Sequence, residues 1–523
     1  MTRKLALLGL IFLVLVFAAS GILFLPIPFT RDQGIYSYVA WCWLGEWWPY
    51  QYAFEHKGPN LYLVYAIFLK VSQGATWGPN LGDLLARIST IILLFMLARK
   101  IFDDKVAFLS ALFAAIPLLC VFSSCWWNDQ AETFMMPLSP LAALLVFESS
   151  QSEKALRRLF SGIAAGLVLS QMLMFKPSSA WLVIAFLIFL FLFSKEKYRA
   201  VIAFSLGVGA GLAAWLFYFW LRGIGREFFE EVVLFNWFHL QGHRLPAAML
   251  VYVLQKELWI NFGPGLILAV AGFFRAAKNW RQPGMFLALA WLIAGILEII
   301  LQARFFLYHF LVLIPAASLI IALGAQAGRS KPAAAWRIIS AIIALAWIVL
   351  SLRLYYSNQY HYQTWDYLTG RISRNQYLSL FQEPGEGNKK DFSALADYVV
   401  AGWIRERTRP DDYVLIFGYE PLINYLSARR SPSRFHSDYP LDLEARTELA
   451  KRMQSKWRGI FLSELKNRKP KLVVLAHNDI NALEPEDSYD QALKFAEFWD
   501  WLNANYRRKE RIEDFEFWWR EDK

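Results

Sequence analysis

The sequence predicts a polytopic α-helical membrane protein with a C-terminal α/β domain, and two observations carry that prediction. Apolar residues gather in runs of about twenty from Leu5 to Leu354 and nowhere after Tyr355, and a run of that length spans the ~30 Å hydrocarbon core of a bilayer as a helix. The charge divides at the same place. From Leu354 onward there are 26 Lys+Arg against 27 Asp+Glu, whereas the part before it holds 28 against 16. The net charge of +11 therefore belongs to the apolar part, where Lys and Arg mark cytoplasmic loops. A nucleic-acid-binding protein would concentrate its positive charge on one water-soluble face, so that class is excluded. Cys42, Cys120 and Cys125 are too few for a disulfide framework and lack metal-ligand spacing.

Eleven spans are expected, near 5–25, 81–99, 105–122, 131–148, 158–174, 178–194, 200–221, 257–274, 284–302, 306–325 and 336–353. The first follows Thr2-Arg3-Lys4 and is longer than a signal-peptide core, so it reads as an uncleaved helix. Leu61–Val71 is too short to span and suits a re-entrant or interfacial helix. The loops 99–105, 149–158, 194–200, 275–283 and 326–337 each carry three Lys or Arg. On the other side, 123–130, 175–177 and 303–305 carry only Lys176 and Arg304. The alternation places the N-terminus in the cytoplasm of a plasma (inner) membrane protein. It places the 26–80 loop, the 222–256 loop and the C-terminal region outside. Residues 1–354 then form the membrane domain and 355–523 an extracytoplasmic α/β domain. That domain has buried strands near 413–418 and 471–476 and helices near 391–407, 442–466 and 489–507. Neither strand is followed by G-x-G-x-x-G, so no dinucleotide site is expected.

Chemistry is expected where polar residues interrupt the outer ends of apolar runs. Asp32, in Arg31-Asp32-Gln33-Gly34-Ile35-Tyr36, lies just past the first span, placed to act as general base toward an incoming hydroxyl. The same position suits the cap of an amphipathic helix over about Gly34–Leu44. Lys57, in Glu55-His56-Lys57-Gly58-Pro59, is held by a tight turn where a cation meets a lipid phosphate, or it snorkels. Asp129 and Glu132 are three apart and would share a face at a helix start. They can bind a sugar hydroxyl or a divalent metal, or complement the helix dipole. No cofactor is otherwise called for. Lys176, Arg304, Tyr308 and His309 complete a set able to bind a phosphate. The 222–256 loop, with Asn236, His239, His243 and Arg244, is placed to cover the cavity.

The order of these features resembles the GT-C superfamily of polyprenyl-phosphate-sugar-dependent glycosyltransferases. Within it, the likeness is to bacterial enzymes related to protein O-mannosyltransferases and the lipid A aminoarabinose transferase. The motifs that carry it are Arg31-Asp32-Gln33-Gly34-Ile35-Tyr36, Phe54-Glu55-His56-Lys57-Gly58-Pro59, Ala131-Glu132, Tyr308-His309-Phe310 with Leu313-Ile314-Pro315, and Val414–Pro421 with Leu426–Arg430. The resemblance implies that Asp32 is the catalytic carboxylate and that Lys57 contacts the carrier phosphate. It also implies a polyprenyl-phosphate-linked sugar donor and a glycan, lipid or protein acceptor. A transporter or flippase of lipid-linked sugars is the alternative. Such a protein would show midplane charges and repeated halves, and the sequence shows neither.

Overall fold

The computed structural model describes residues 1–122, 129–242, 247–302, 305–326, 333–357, 359–384, 390–442, 445–480 and 486–521. Seven helices among them are long and apolar enough to cross a membrane: Arg3–Ile22, Trp77–Ile101, Ala131–Gln151, Lys197–Arg222, Pro283–Gln302, Leu307–Ala325 and Ala335–Arg353. Shorter apolar helices occupy Pro59–Val71 and Pro177–Phe193. The chain is thus a multi-pass membrane protein, as its apolar runs predict. Many large apolar side chains on these helices are exposed, Phe12, Trp220 and Leu345 among them, which suits a surface solvated by lipid rather than water.

Close packing comes from small residues. A Cβ on Gly272 would lie 1.9 Å from the Ile320 carbonyl oxygen, and one on Gly324 equally close to that of Leu268. Only glycine lets the Gly265–Lys278 and Ile314–Ala325 helices approach so nearly.

Three expectations are corrected here. No continuous span covers 257–274, because Ala247–Phe262 ends at Gly263, in the left-handed region at φ 41°, and a new helix, Gly265–Lys278, starts after Pro264. Proline lacks the N–H that would continue the helix. The 222–256 segment is mostly helical rather than a loop: Gly225–Phe228, a π-helical turn over Phe229–Leu234, Phe235–Gly242, and the start of the Ala247–Phe262 helix. The helix that bears Asp32 begins earlier than expected and runs Arg31–Leu44. Thr30 and Gln33, not Asp32, make its capping box, and ten of its fourteen residues are buried, so it is not amphipathic.

The C-terminal region contains a four-stranded sheet. Val414–Phe417 pairs in parallel with Leu472–Ala476, as the two apolar runs predict. Beyond them lie Phe515–Arg520 and then Tyr506–Ile512, an antiparallel hairpin not foreseen in the sequence. The helix expected over 489–507 is two, Ser488–Lys494 and Ala496–Asn505, and the hairpin starts at Tyr506. Tyr506–Ile512 is an edge strand whose exposed charges hide its strand character and guard the edge.

A buried acid pair sits past the carboxyl ends of the parallel strands. Asp479 accepts from the Tyr419 N–H (3.2 Å) and from the Ser488 hydroxyl (2.6 Å). Burial, and then Asp479, push the Asp438 carboxyl from 3.8 up to about 8. A carboxyl whose pKa is raised by folding contributes stability that is full below about pH 4 and lost as pH climbs to about 8. The neutral Asp438→Asn variant should remove that loss. Thermal unfolding should show it matching the wild-type chain near pH 4 and exceeding it at pH 8 by on the order of a few kcal/mol.

Candidate functional site

The C-terminal region docks on the segment between the first and second spans. Arg31 Nε donates to Glu420 Oε1 at 2.7 Å, the Phe54 N–H donates to the Arg434 carbonyl at 2.8 Å, and Phe54 stacks on Phe435 at 5.3 Å. Beneath this contact the predicted site residues fall into two adjoining groups.

The first group forms around Tyr36. Asp32 is half-buried and accepts a hydrogen bond from Gln130 Nε2 at 3.2 Å. Tyr36, one turn further along the same helix, donates to Gln130 Oε1 at 3.3 Å. The Lys57 ammonium lies over the Tyr36 ring, 5.5 Å from its centre. The carboxylate is thus linked to Tyr36 through Gln130, and the lysine covers the same tyrosine ring.

The chain holds Lys57 from several sides. Its carbonyl accepts from the Tyr50 hydroxyl at 3.0 Å. Just before it, the Glu55 N–H donates to Glu231 (2.9 Å) and the His56 carbonyl accepts from Asn236 (2.7 Å). The 222–256 segment thus braces this turn through Asn236. His239 lies in the Phe235–Gly242 helix, while His243 and Arg244 lie outside the described residues. Burial would raise the Glu55 carboxyl, but His56 and then Lys57 overcome it and hold it down to about 2. Glu55 is thus a fixed negative charge beside the lysine.

After Lys57, Gly58 and Asn60 donate their N–H groups to the carbonyls of Phe175 and Met174, each at 3.2 Å. A Cβ on Gly58 would stand 2.0 Å from the Met174 oxygen, so the glycine is what lets the two segments touch. That contact brings Lys57 alongside Lys176.

The second group forms around Lys176. Its ammonium donates to Glu132 and to Gln302 Oε1 (3.0 Å) and lies 5.6 Å from the centre of the Tyr308 ring. His309 Nε2 is 3.9 Å from the same Glu132 carboxylate. Tyr308 and His309 sit on a 3-10 turn, Leu307–Leu313, that leads into the Ile314–Ala325 helix. Glu298, buried on the Pro283–Gln302 helix, accepts from the Ser178 hydroxyl at 3.2 Å. A small cavity lies beside it, lined by Met135, Met136, Met172, Leu182, Trp291 and Glu298. Arg304 lies outside the described residues.

Asp129 departs from its expected place. It precedes the Ala131–Met135 helix in the left-handed region, at φ 59°, so it shares no helical face with Glu132. Its N–H donates to Asp83 Oδ1 at 3.0 Å and its carbonyl accepts from the Tyr65 hydroxyl at 3.0 Å. Burial, and then Asp83, push its carboxyl well above the usual carboxylate range. Asp129 thus stands apart from Glu132, which pairs with Lys176. Among the described residues no three His, Cys, Asp or Glu side chains gather to hold an ion.

Four polar residues of this architecture escape a reading of the sequence. Gln130 is an ordinary loop residue until its amide is seen to bridge Asp32 and Tyr36. Glu298 sits among apolar residues near the end of a span. Asp83 and Arg87 stand inside an apolar run at i, i+4, a signal that charged side chains in a span are costly and kept for a purpose. Arg87 Nε donates to Asp83 Oδ2 at 2.6 Å, and neither side chain is more than 1% exposed. The pair pins the backbone at Asp129 and hence the approach to Gln130 and Glu132. Arg87→Ala should strand a buried carboxylate and cost roughly 3–5 kcal/mol, measured as a lower unfolding temperature in detergent. The double variant Asp83→Ala/Arg87→Ala should cost less than the two single losses combined.

The fold as a whole is shared with two solved proteins. The chain superposes on ArnT from Cupriavidus metallidurans bound to undecaprenyl phosphate with a TM-score of 0.61 at 13% identity, covering 99% of this chain and 98% of that one. Against the same protein in its apo state the TM-score is 0.57, at 13% identity and 97% of each chain. The oligosaccharyltransferase of Archaeoglobus fulgidus, tethered with an acceptor peptide, gives 0.50 at 14% identity, covering 91% of this chain and 69% of that one. At such identities the likeness is one of fold. More particularly, residues 56–220 match the family model of the dolichyl-phosphate-mannose-protein mannosyltransferases. That segment opens at His56-Lys57 and includes Asp129, Glu132 and Lys176. No curated protein matches the chain by sequence.

Proposed function

We propose that this protein is an inverting glycosyltransferase. It moves a sugar from a polyprenyl-phosphate carrier to an acceptor hydroxyl on the extracytoplasmic face of the plasma membrane, with its N-terminus cytoplasmic and residues 355–523 outside. One observation carries this reading: Gln130 bonds both Asp32 and Tyr36, Lys57 lies over the Tyr36 ring, and the Lys57 charge acts on Lys176. A base and two cations at one place are what displacement at an anomeric carbon needs.

Asp32 takes the proton of the acceptor hydroxyl as the oxygen attacks the anomeric carbon from the side opposite the phosphate. The bond between that carbon and the phosphate oxygen breaks, its electron pair leaves with the phosphate, and polyprenyl phosphate is released. The departing group needs positive charge rather than a proton, and Lys57 and Lys176 supply it from a preorganised, water-poor setting. Tyr36 and Gln130 orient the carboxylate. That the fold is shared with a protein seen bound to undecaprenyl phosphate supports a carrier of this class.

The test is transfer by the purified protein in nanodiscs. The donor is the polyprenyl-linked sugar that accumulates when the protein is deleted, and the product's anomeric configuration is read by NMR. Inversion relative to the donor is expected. Retention would overturn single displacement, and transport of the intact lipid-linked sugar without transfer would favour a flippase.

A further inference from the structure

The Arg31–Leu44 helix has two working faces. Residues 31, 34 and 38, at i, i+3 and i+7, all meet the 420–431 stretch of the C-terminal region. Arg31 pairs with Glu420 at 2.7 Å, with side chains only 7% and 3% exposed. Gly34 lies so close to Leu422 that a Cβ on it would stand 2.6 Å from the Leu422 Cβ. The Tyr38 hydroxyl accepts from the Ser431 N–H at 2.9 Å. Residues 32 and 36, at i and i+4, lie about 150° away around the helix, and both bond Gln130. The seam on one face therefore fixes the rotation and height of the other. Its electrostatic centre is buried: Asp397, 1% exposed, joins Glu420 and Arg31 there. Burial and then Glu420 push the Asp397 carboxyl well above its ordinary range.

We propose that Glu420 is a positioning residue for Asp32, acting through Arg31 and this seam, so that the C-terminal region sets the rate of transfer. The inference rests on the reading of Asp32 as the base. A shift of about an ångström in a catalytic group costs on the order of 100-fold in rate. Loss of the Glu420 charge should therefore slow the chemical step and leave carrier binding, which belongs to Lys57 and Lys176, unchanged.

The experiment uses the full chain in nanodiscs, with the donor lipid extracted from cells lacking the protein. Glu420→Gln should lower kcat about 10- to 100-fold and leave KM for the donor within about twofold. Glu420→Asp, which keeps the charge, should recover part of the rate. Tyr425→Phe removes another bond between the same two regions, from the Tyr425 hydroxyl to the Gly74 carbonyl (2.7 Å), and should keep the wild-type kcat. If Glu420→Gln does not fold, the apolar pair Arg31→Met/Glu420→Met replaces it, since buried ion pairs tolerate such exchange. It should show the same kcat loss. A wild-type kcat in Glu420→Gln or in the methionine pair, alongside an inactive Asp32→Asn, would overturn the positioning role alone. Equal slowing by Tyr425→Phe would overturn it too, showing a general loosening of the interface. An active Asp32→Asn would sink the underlying reading instead.

Discussion

Asp32→Asn should lower kcat about 10²- to 10⁴-fold, the range that a positioned general base contributes, while undecaprenyl phosphate binds within about twofold of the wild-type affinity. Asparagine keeps the shape and still accepts the bond from Gln130, so the Arg31–Leu44 helix has no reason to move. What disappears is the capacity to take a proton. We favour this residue over the other carboxyls nearby because Asp129 and Glu298 are buried and the rest are paired with cations. Glu132 pairs with Lys176, Asp83 with Arg87, and Glu55 with His56. Asp32 is half-buried and touches only a neutral amide among the bonds described. A single-turnover assay separates the proton-transfer defect from any change in binding.

Lys57→Ala should act on both binding and chemistry. An ammonium aimed at the leaving phosphate stabilises charge that grows as the bond breaks, and loss of one such donor costs roughly 10²- to 10³-fold in kcat. Because the ground-state phosphate is also anionic, the affinity for undecaprenyl phosphate should fall as well, unlike in Asp32→Asn. The neighbouring lysine does not fill the gap. Lys176 is bonded to Glu132 and Gln302, and burial lowers its pKa, with Glu132 opposing and the nearby Lys57 charge adding to the effect. Equilibrium binding of undecaprenyl phosphate beside steady-state kinetics distinguishes the two variants.

The two parts of the fold were legible for different reasons. Spans announce themselves because hydrocarbon thickness sets the length of an apolar run, and the parallel strands because Val414–Phe417 and Leu472–Ala476 are buried on both faces. The break at Gly263-Pro264 lies inside one apolar run, so composition alone joins what the backbone separates. The hairpin was hidden because Tyr506–Ile512 is mostly charged and abuts a helix. In the site, Asp32, Lys57, Glu132 and Lys176 stand out as polar residues at the ends of apolar segments. Their partners do not. Gln130 carries no signal of its own, and Glu420 lies 389 residues from the arginine it pairs with. Asp129 and Glu132 show the limit of spacing arguments: three residues apart, they diverge because the backbone at Asp129 turns left-handed before the helix begins.

In the proposed mechanism the base and the cations for the carrier phosphate face one opening. A cryo-EM structure of the protein in nanodiscs with undecaprenyl phosphate tests it most directly. The phosphate should lie within hydrogen-bonding distance, about 3 Å, of the Lys57 ammonium, beside Lys176, with the Asp32 carboxylate facing the same opening. A phosphate seated away from Lys57, or an Asp32 walled off from it, would rule out catalysis by these residues together.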